Sequence, residues 1–142
     1  MIKALEKRGM DMKELVEIHA KARNEGKVVD FYNAIDSDTY EEFVKYIDFS
    51  DPWKICEAIS KPEPSASEQV VNPGELYTKG FGYINLRKDA AIFDVGHGTG
   101  IMGKLLTQEG YTNIDGADGN PGFVETVKKT GHYGNSSVMW FG

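Results

Sequence analysis

This 142-residue chain has a single cysteine, fewer basic than acidic residues and no long apolar run. With Cys56 alone no internal disulfide can form, which suits a reducing compartment, so a cytoplasmic location is expected, the nucleus remaining open. Cys56 itself reads as a small buried apolar residue on a helix rather than a nucleophile. No stretch approaches the ~20 apolar residues that span a bilayer. Residues 1–9 are charged throughout, unlike a secretory leader. No membrane partner is therefore expected. Lys and Arg number 16 against 22 Asp and Glu, a net charge of −6 that argues against a nucleic-acid partner, whose phosphates need a basic face. No Ser-His-Asp or Cys-His grouping, no phosphate-loop Lys and no metal-ligand spacing stands in the chain, so no metal is expected. A hydrophobic share of 40% fits a soluble globular domain.

Glycine is abundant, and its placement between Ala90 and Gly122 organises the reading. Ala90 to Val95 is a short apolar run with strand character, bounded by Lys88-Asp89 and Gly96. Gly96, Gly98 and Gly100 alternate through a turn in which a ligand can approach the backbone closely. Ile101, Met102, Leu105 and Leu106 recur at helical spacing, with Gly110 as the stop. Asn113 to Ala117 is a second short strand ending at Asp118. A carboxylate about twenty residues after a glycine turn is where nucleotide-binding α/β units hold ribose hydroxyls. Two registers fit. One takes Asp94, Gly96, Gly98 and Gly100, with the carboxylate at the strand end. The other takes Gly98, Gly100 and Gly103 as a dinucleotide fingerprint, but it leaves Asp94 and Gly96 inside a strand that should be nearly all apolar. A pyrophosphate also wants the helix N-terminus for its charge, whereas an Asp at the mouth of the turn suits a ligand with a positive group. The first register is preferred.

With those residues in hand, FDVGHGTG followed by DGADGNPGF resembles motif I and the ribose-binding strand of class I S-adenosylmethionine-dependent methyltransferases. It is most similar to the methyltransferase-like group that includes the Williams-Beuren critical-region protein. The resemblance covers roughly a third of the chain, in the manner of a short motif. It implies S-adenosyl-L-methionine as cofactor and a Rossmann-like methyltransferase fold, α/β with a mainly parallel sheet. It also implies that Asp94 helps place the methionine ammonium and that Gly96, His97, Gly98, Thr99 and Gly100 pass under the methionine portion. Asp118 would take the ribose hydroxyls, with Gly119 and Asn120 beside the adenosine. His97 departs from the family, which usually has a small residue there, and an imidazole facing the ligand would crowd or contact it. The segment FYNAIDSDTYEEF resembles the approach to motif I in which one tyrosine lies over the cofactor. Tyr40 and Tyr32 are the candidates, with packing of the helix onto the core as the alternative.

Elsewhere the reading is of helices. Asp11 and Glu14 make a capping box for a helix whose face is Met12, Leu15, Val16, His19 and Ala22, ending near Gly26. His19 on that stripe reads as a core-edge histidine rather than a ligand. Val28 to Tyr32 is an apolar patch. Asp38 and Glu41 offer a second box, followed by Tyr40, Phe43, Val44 and Ile47. Asp51-Pro52 starts a third helix carrying Trp53, Cys56 and Ile59 on one face. Residues 61–67 read as a linker and 68–88 as an insertion or divergent loop that could cover the site. Asn120 caps a helix from Pro121 with Phe123, Val124 and Val127 inward, ended by Gly131, and the tail from Gly134 carries no clear strand.

The expected organisation is a helical cap at 1–60, the linker and insertion at 61–88, and the N-terminal half of a cofactor-binding domain at 89–142. Residues 90–142 leave room for two strand-helix units at about thirty residues per βαβ, so the chain is expected to hold the first βαβα and to lack the later strands, as a truncated copy of low stability. The function expected from the resemblance is methyl transfer to a small-molecule or protein acceptor, by an incomplete or inactive copy if the missing strands matter. The alternatives are a nicotinamide-dinucleotide oxidoreductase fragment and a non-catalytic module that self-associates through an open sheet edge. Sequence assigns no catalytic base.

Overall fold

The computed structural model describes residues 11–49, 51–62 and 83–140, and within them the chain forms six helices and three strands. Helix α1 (Met12–Asn24) starts where the Asp11 carboxylate accepts from the Lys13 amide at 3.0 Å, and it turns Leu15 and Ala22 inward. The apolar patch after it is a helix, α2 (Val28–Ala34), anchored by the fully buried Phe31. Seven residues, two of them valine, are too few to hold a helix by propensity, so tertiary packing does. Helix α3 (Ser37–Tyr46) corrects one expectation: its cap is Asp36, which accepts from the Thr39 amide at 2.9 Å. Asp38 instead falls within the first turn, where its charge favours the helix dipole. Helix α4 (Asp51–Ser60) has Pro52 in its first turn and buries Cys56, but Trp53, expected on the same face, is 52% exposed.

Most of the proposed linker and insertion lies outside the described residues. Its described end is pinned to α4, with Ile84 donating to the Ala58 carbonyl at 2.8 Å and Leu86 to that of Ile59 at 2.7 Å. The Tyr111 hydroxyl donates to the Leu86 carbonyl at 2.8 Å and fixes the same strap from the sheet side. From there the chain runs through β1 (Ile92–Val95), α5 (Ile101–Gln108), β2 (Ile114–Asp118), α6 (Pro121–Thr130) and β3 (Ser136–Val138). The strands make one parallel sheet in the order β1-β2-β3, with Asp94 opposite Gly116 and Asp118 opposite Val138. The third strand is a correction, because the tail was expected to be irregular. Ser-Ser-Val carries too short a pattern to announce itself, and the β2 backbone supplies the pairing that makes it a strand. The Gly134 amide donates to the Ile114 carbonyl at 2.7 Å, and that of Met139 to Asp118 at 3.0 Å.

Two apolar clusters organise this mixed α/β architecture. Leu15, Phe31, Phe43 and Val44 of the first three helices meet Phe123 of α6. Cys56 of α4, Leu106 of α5, Tyr111 and Ile114 form the second, under the sheet. Asn120 ties α6 to α2 on the side of the first cluster. Its side-chain oxygen caps α6 by accepting from Gly122 at 2.8 Å and Phe123 at 3.3 Å, while its amide nitrogen donates to the Tyr32 carbonyl at 2.5 Å. The other face of β1 is left to solvent: Phe93 is 53% and Val95 58% exposed. No helix among the described residues is long and apolar enough to cross a membrane.

Candidate functional site

β1 ends at Val95, and the chain then reverses through a turn in which Gly96, Gly98 and Gly100 take φ of +70°, +56° and +89°. That region favours glycine, which accounts for the alternation seen in sequence. The Gly96 and His97 amides both donate to the Ala117 carbonyl, at 2.8 and 3.2 Å, stitching the turn to the end of β2. Asp118, the last residue of β2, completes the seam. One carboxylate oxygen accepts from the Gly98 amide at 2.9 Å and the other from the Asn120 amide at 2.8 Å. An ionised carboxylate offers about four acceptor positions, so Asp118 retains capacity for a ligand's hydroxyls.

A cavity of about 300 Å³ opens over this seam. Of the residues expected from sequence, Tyr40, Gly96, Gly98, Asp118, Gly119 and Asn120 line it, and so does Tyr32. Tyr40 lies against the turn, where a Cβ on Gly98 would come within 3.2 Å of its hydroxyl. Burial, with Tyr32 and Asp118 nearby, pushes the Tyr40 phenol up to about 12, so at neutral pH it is a hydrogen-bond donor and no base.

Asp94, His97, Thr99 and Gly100 are not among the residues lining that cavity. Asp94 accepts a 2.6 Å hydrogen bond from the Tyr133 hydroxyl, which in turn accepts from the Gly103 amide at 2.9 Å. Burial raises the Asp94 carboxyl above its ordinary value, opposed by the Tyr133 hydrogen bond and by His97. The Tyr133 ring occupies the space a side chain on Gly103 would need. Gly103, the third glycine of the dinucleotide register, therefore has a packing reason to be glycine. His97 is 6% exposed and turned beneath the turn. Its Nδ1 donates to the Gly98 carbonyl at 2.7 Å, and its Nε2 pairs with the Ser136 hydroxyl at 2.7 Å. Thr99 and Gly100 border a separate groove of about 930 Å³, along which Phe49 and Trp53 also lie.

Three residues of this site escaped the sequence reading: Tyr133, Ser136 and Trp140. All follow α6, and Ser136 and Trp140 lie in the tail where no strand was expected. The signal that would have found them is the repetition of the βαβ unit, which calls for a further parallel strand after α6. Trp140 lines the cavity and rests on Gly119, where any side chain would meet its ring. No family model matches the chain, and neither a curated protein nor a solved structure does.

Proposed function

We propose that the cavity over the glycine turn holds S-adenosyl-L-methionine and that the protein is a methyltransferase of Rossmann-like fold. The observation that carries this reading is the Asp118 carboxylate. It lies at the end of β2 on a cavity wall, beside a turn of three positive-φ glycines leading into α5, with acceptor capacity left over. A vicinal diol fits that capacity, and the nucleoside half of the cofactor fits the residues present. The amino-acid half would lie along Gly96 and Gly98. Asp94 holds Tyr133, whose hydroxyl binds the Gly103 amide at the start of α5 and whose ring lies against Gly100, and so acts on the ligand as a positioning residue.

When bound, S-adenosylmethionine supplies an electrophilic sulfonium methyl to an acceptor nucleophile. The protein's share is to orient the two partners, a contribution that by itself accounts for a large part of many rate enhancements. Asp118 holds the ribose, the glycine turn admits the chain closely, and Tyr40 offers a hydroxyl donor at the cavity wall. The acceptor is a small molecule or a protein side chain.

Calorimetric titration with S-adenosylhomocysteine, with NAD as the comparison ligand, tests this. The expected result is saturable binding of the first alone, weakened about tenfold or more by Asp118→Ala, in line with the ~1.5–3 kcal/mol typical of hydrogen bonds to a charged group. Preference for NAD would move the protein to the nicotinamide-dinucleotide class. A folded chain that binds neither ligand would overturn the cofactor assignment. One observation favours a second reading, a non-catalytic module that pairs through its sheet: Phe93 and Val95 on strand β1 are both more than half exposed. Concentration-dependent dimerisation without ligand binding would carry that reading over the first.

A further inference from the structure

The residue that closes the cavity beside Asp118 has no role in the reading above. Trp140 lies two residues beyond β3, and the Met139 amide, donating to the Asp118 carbonyl at 3.0 Å, fixes the chain just before it. Its six-membered ring edge is packed over Gly119, so closely that a Cβ there would need the ring to move. Yet the side chain is 55% exposed while lining the cavity. Those two facts define an aromatic surface seated on Gly119 with free area, next to the carboxylate assigned to the ribose. Strand β3 holds the tail in turn through the Ser136 hydroxyl, which pairs with His97 at 2.7 Å beneath the turn.

We infer that Trp140 is the stacking platform for the ligand's base, and that the site selects a flat heteroaromatic base carried on a ribose. The inference rests on the ribose role of Asp118. A base joined to a ribose held at Asp118 must leave the sugar within a few ångströms of that carboxylate, and Trp140 and Gly119 are its neighbours there. Aromatic rings accept any base through their π-faces, so the platform selects for a base without demanding a particular hydrogen-bonding edge. Gly119 leaves the ring its space, and the tail that carries the ring is paired to β2.

Trp53 and Trp140 are the chain's two tryptophans, and Trp53 lies along the other groove. In the full-length Trp53→Phe chain, emission therefore reports Trp140 alone. Titration with S-adenosylhomocysteine and with adenosine should quench it saturably, whereas methionine should leave it unchanged. Trp140→Ala should weaken S-adenosylhomocysteine binding by calorimetry roughly tenfold or more, the range of a single base-aromatic stack, and Trp140→Phe should recover part of that loss. Because the side chain is half exposed, its truncation leaves no core cavity, and circular dichroism should match the parent. If S-adenosylhomocysteine binds the parent but emission is unmoved and Trp140→Ala binds equally well, the stacking role is overturned while the cofactor assignment stands. If methionine quenches as well as adenosine, the ring faces the amino-acid half and the inference is wrong. If no nucleoside binds the folded chain, the ribose role of Asp118 fails and the platform falls with it.

Discussion

Tyr133 connects three parts of the chain with one hydroxyl: it donates to Asp94 on β1 and accepts from the Gly103 amide on α5, while its ring presses on Gly116 of β2. Tyr133→Phe keeps the ring and removes both hydrogen bonds, leaving a part-buried carboxyl and the amide of the buried Gly103 short of partners. The expected loss is about 1–3 kcal/mol in urea denaturation, and its pH dependence identifies the cause. Burial raises Asp94 above its ordinary value, so its contribution to stability is complete below the unfolded value of about 4 and falls as pH rises through the folded one. Removing the Tyr133 donor raises Asp94 further and deepens that fall. The variant's deficit should therefore be larger at pH 7 than near pH 4. An equal deficit at both would mean that the hydroxyl matters to Gly103 alone.

At the scale of elements, Asn120 shows how much one cap can carry. It starts α6 through its side-chain oxygen, and its nitrogen reaches the Tyr32 carbonyl on α2. Asp11 caps α1 on the surface with a single bond to Lys13. Asn120→Ala should cost about 2–4 kcal/mol, combining the ~1 kcal/mol of a cap with the penalty of an orphaned buried carbonyl, against about 1 kcal/mol for Asp11→Ala. Comparable losses in denaturation would sink this account. The same elements show what sequence can and cannot disclose. Asn120-Pro121 and the glycine turn were legible because capping and positive φ select residue types locally. Helix α2, the Asp36 cap and β3 were not, because Val28–Ala34 and Ser136–Val138 take their conformations from what they pack against. Of the site, Asp118 was legible from its spacing after the glycine turn, and Tyr40 and Asn120 were candidates from the family resemblance. The Asp94–Tyr133 pair joins residues 39 apart in sequence, a separation that no local pattern encodes.

For the whole molecule, the unequal treatment of the two sheet faces matters most. Ile92 and Ile114 are covered by the helices, while Phe93 and Val95 meet solvent, and an exposed apolar parallel strand invites pairing. Sedimentation velocity of the wild-type chain should show concentration-dependent association that Phe93→Lys suppresses; a monomer at every concentration would remove the interaction reading. The long-range ties between the layers bear on how the chain folds. Asn120 reaches Tyr32 across 88 residues, and the Ser37 and Thr126 hydroxyls pair across 89. Helices α1 to α3 need only their neighbours, whereas seating them on α6 must close a loop of that length before any contact rewards it. We predict that this docking follows the main barrier, which the folding and unfolding rates of Asn120→Ala by stopped flow would test: a slowed folding rate would place it at the barrier. Loosening the joint at Asn120 should hasten unfolding and leave the folding rate nearly unchanged, so a residue that begins a helix sets the lifetime of the native state.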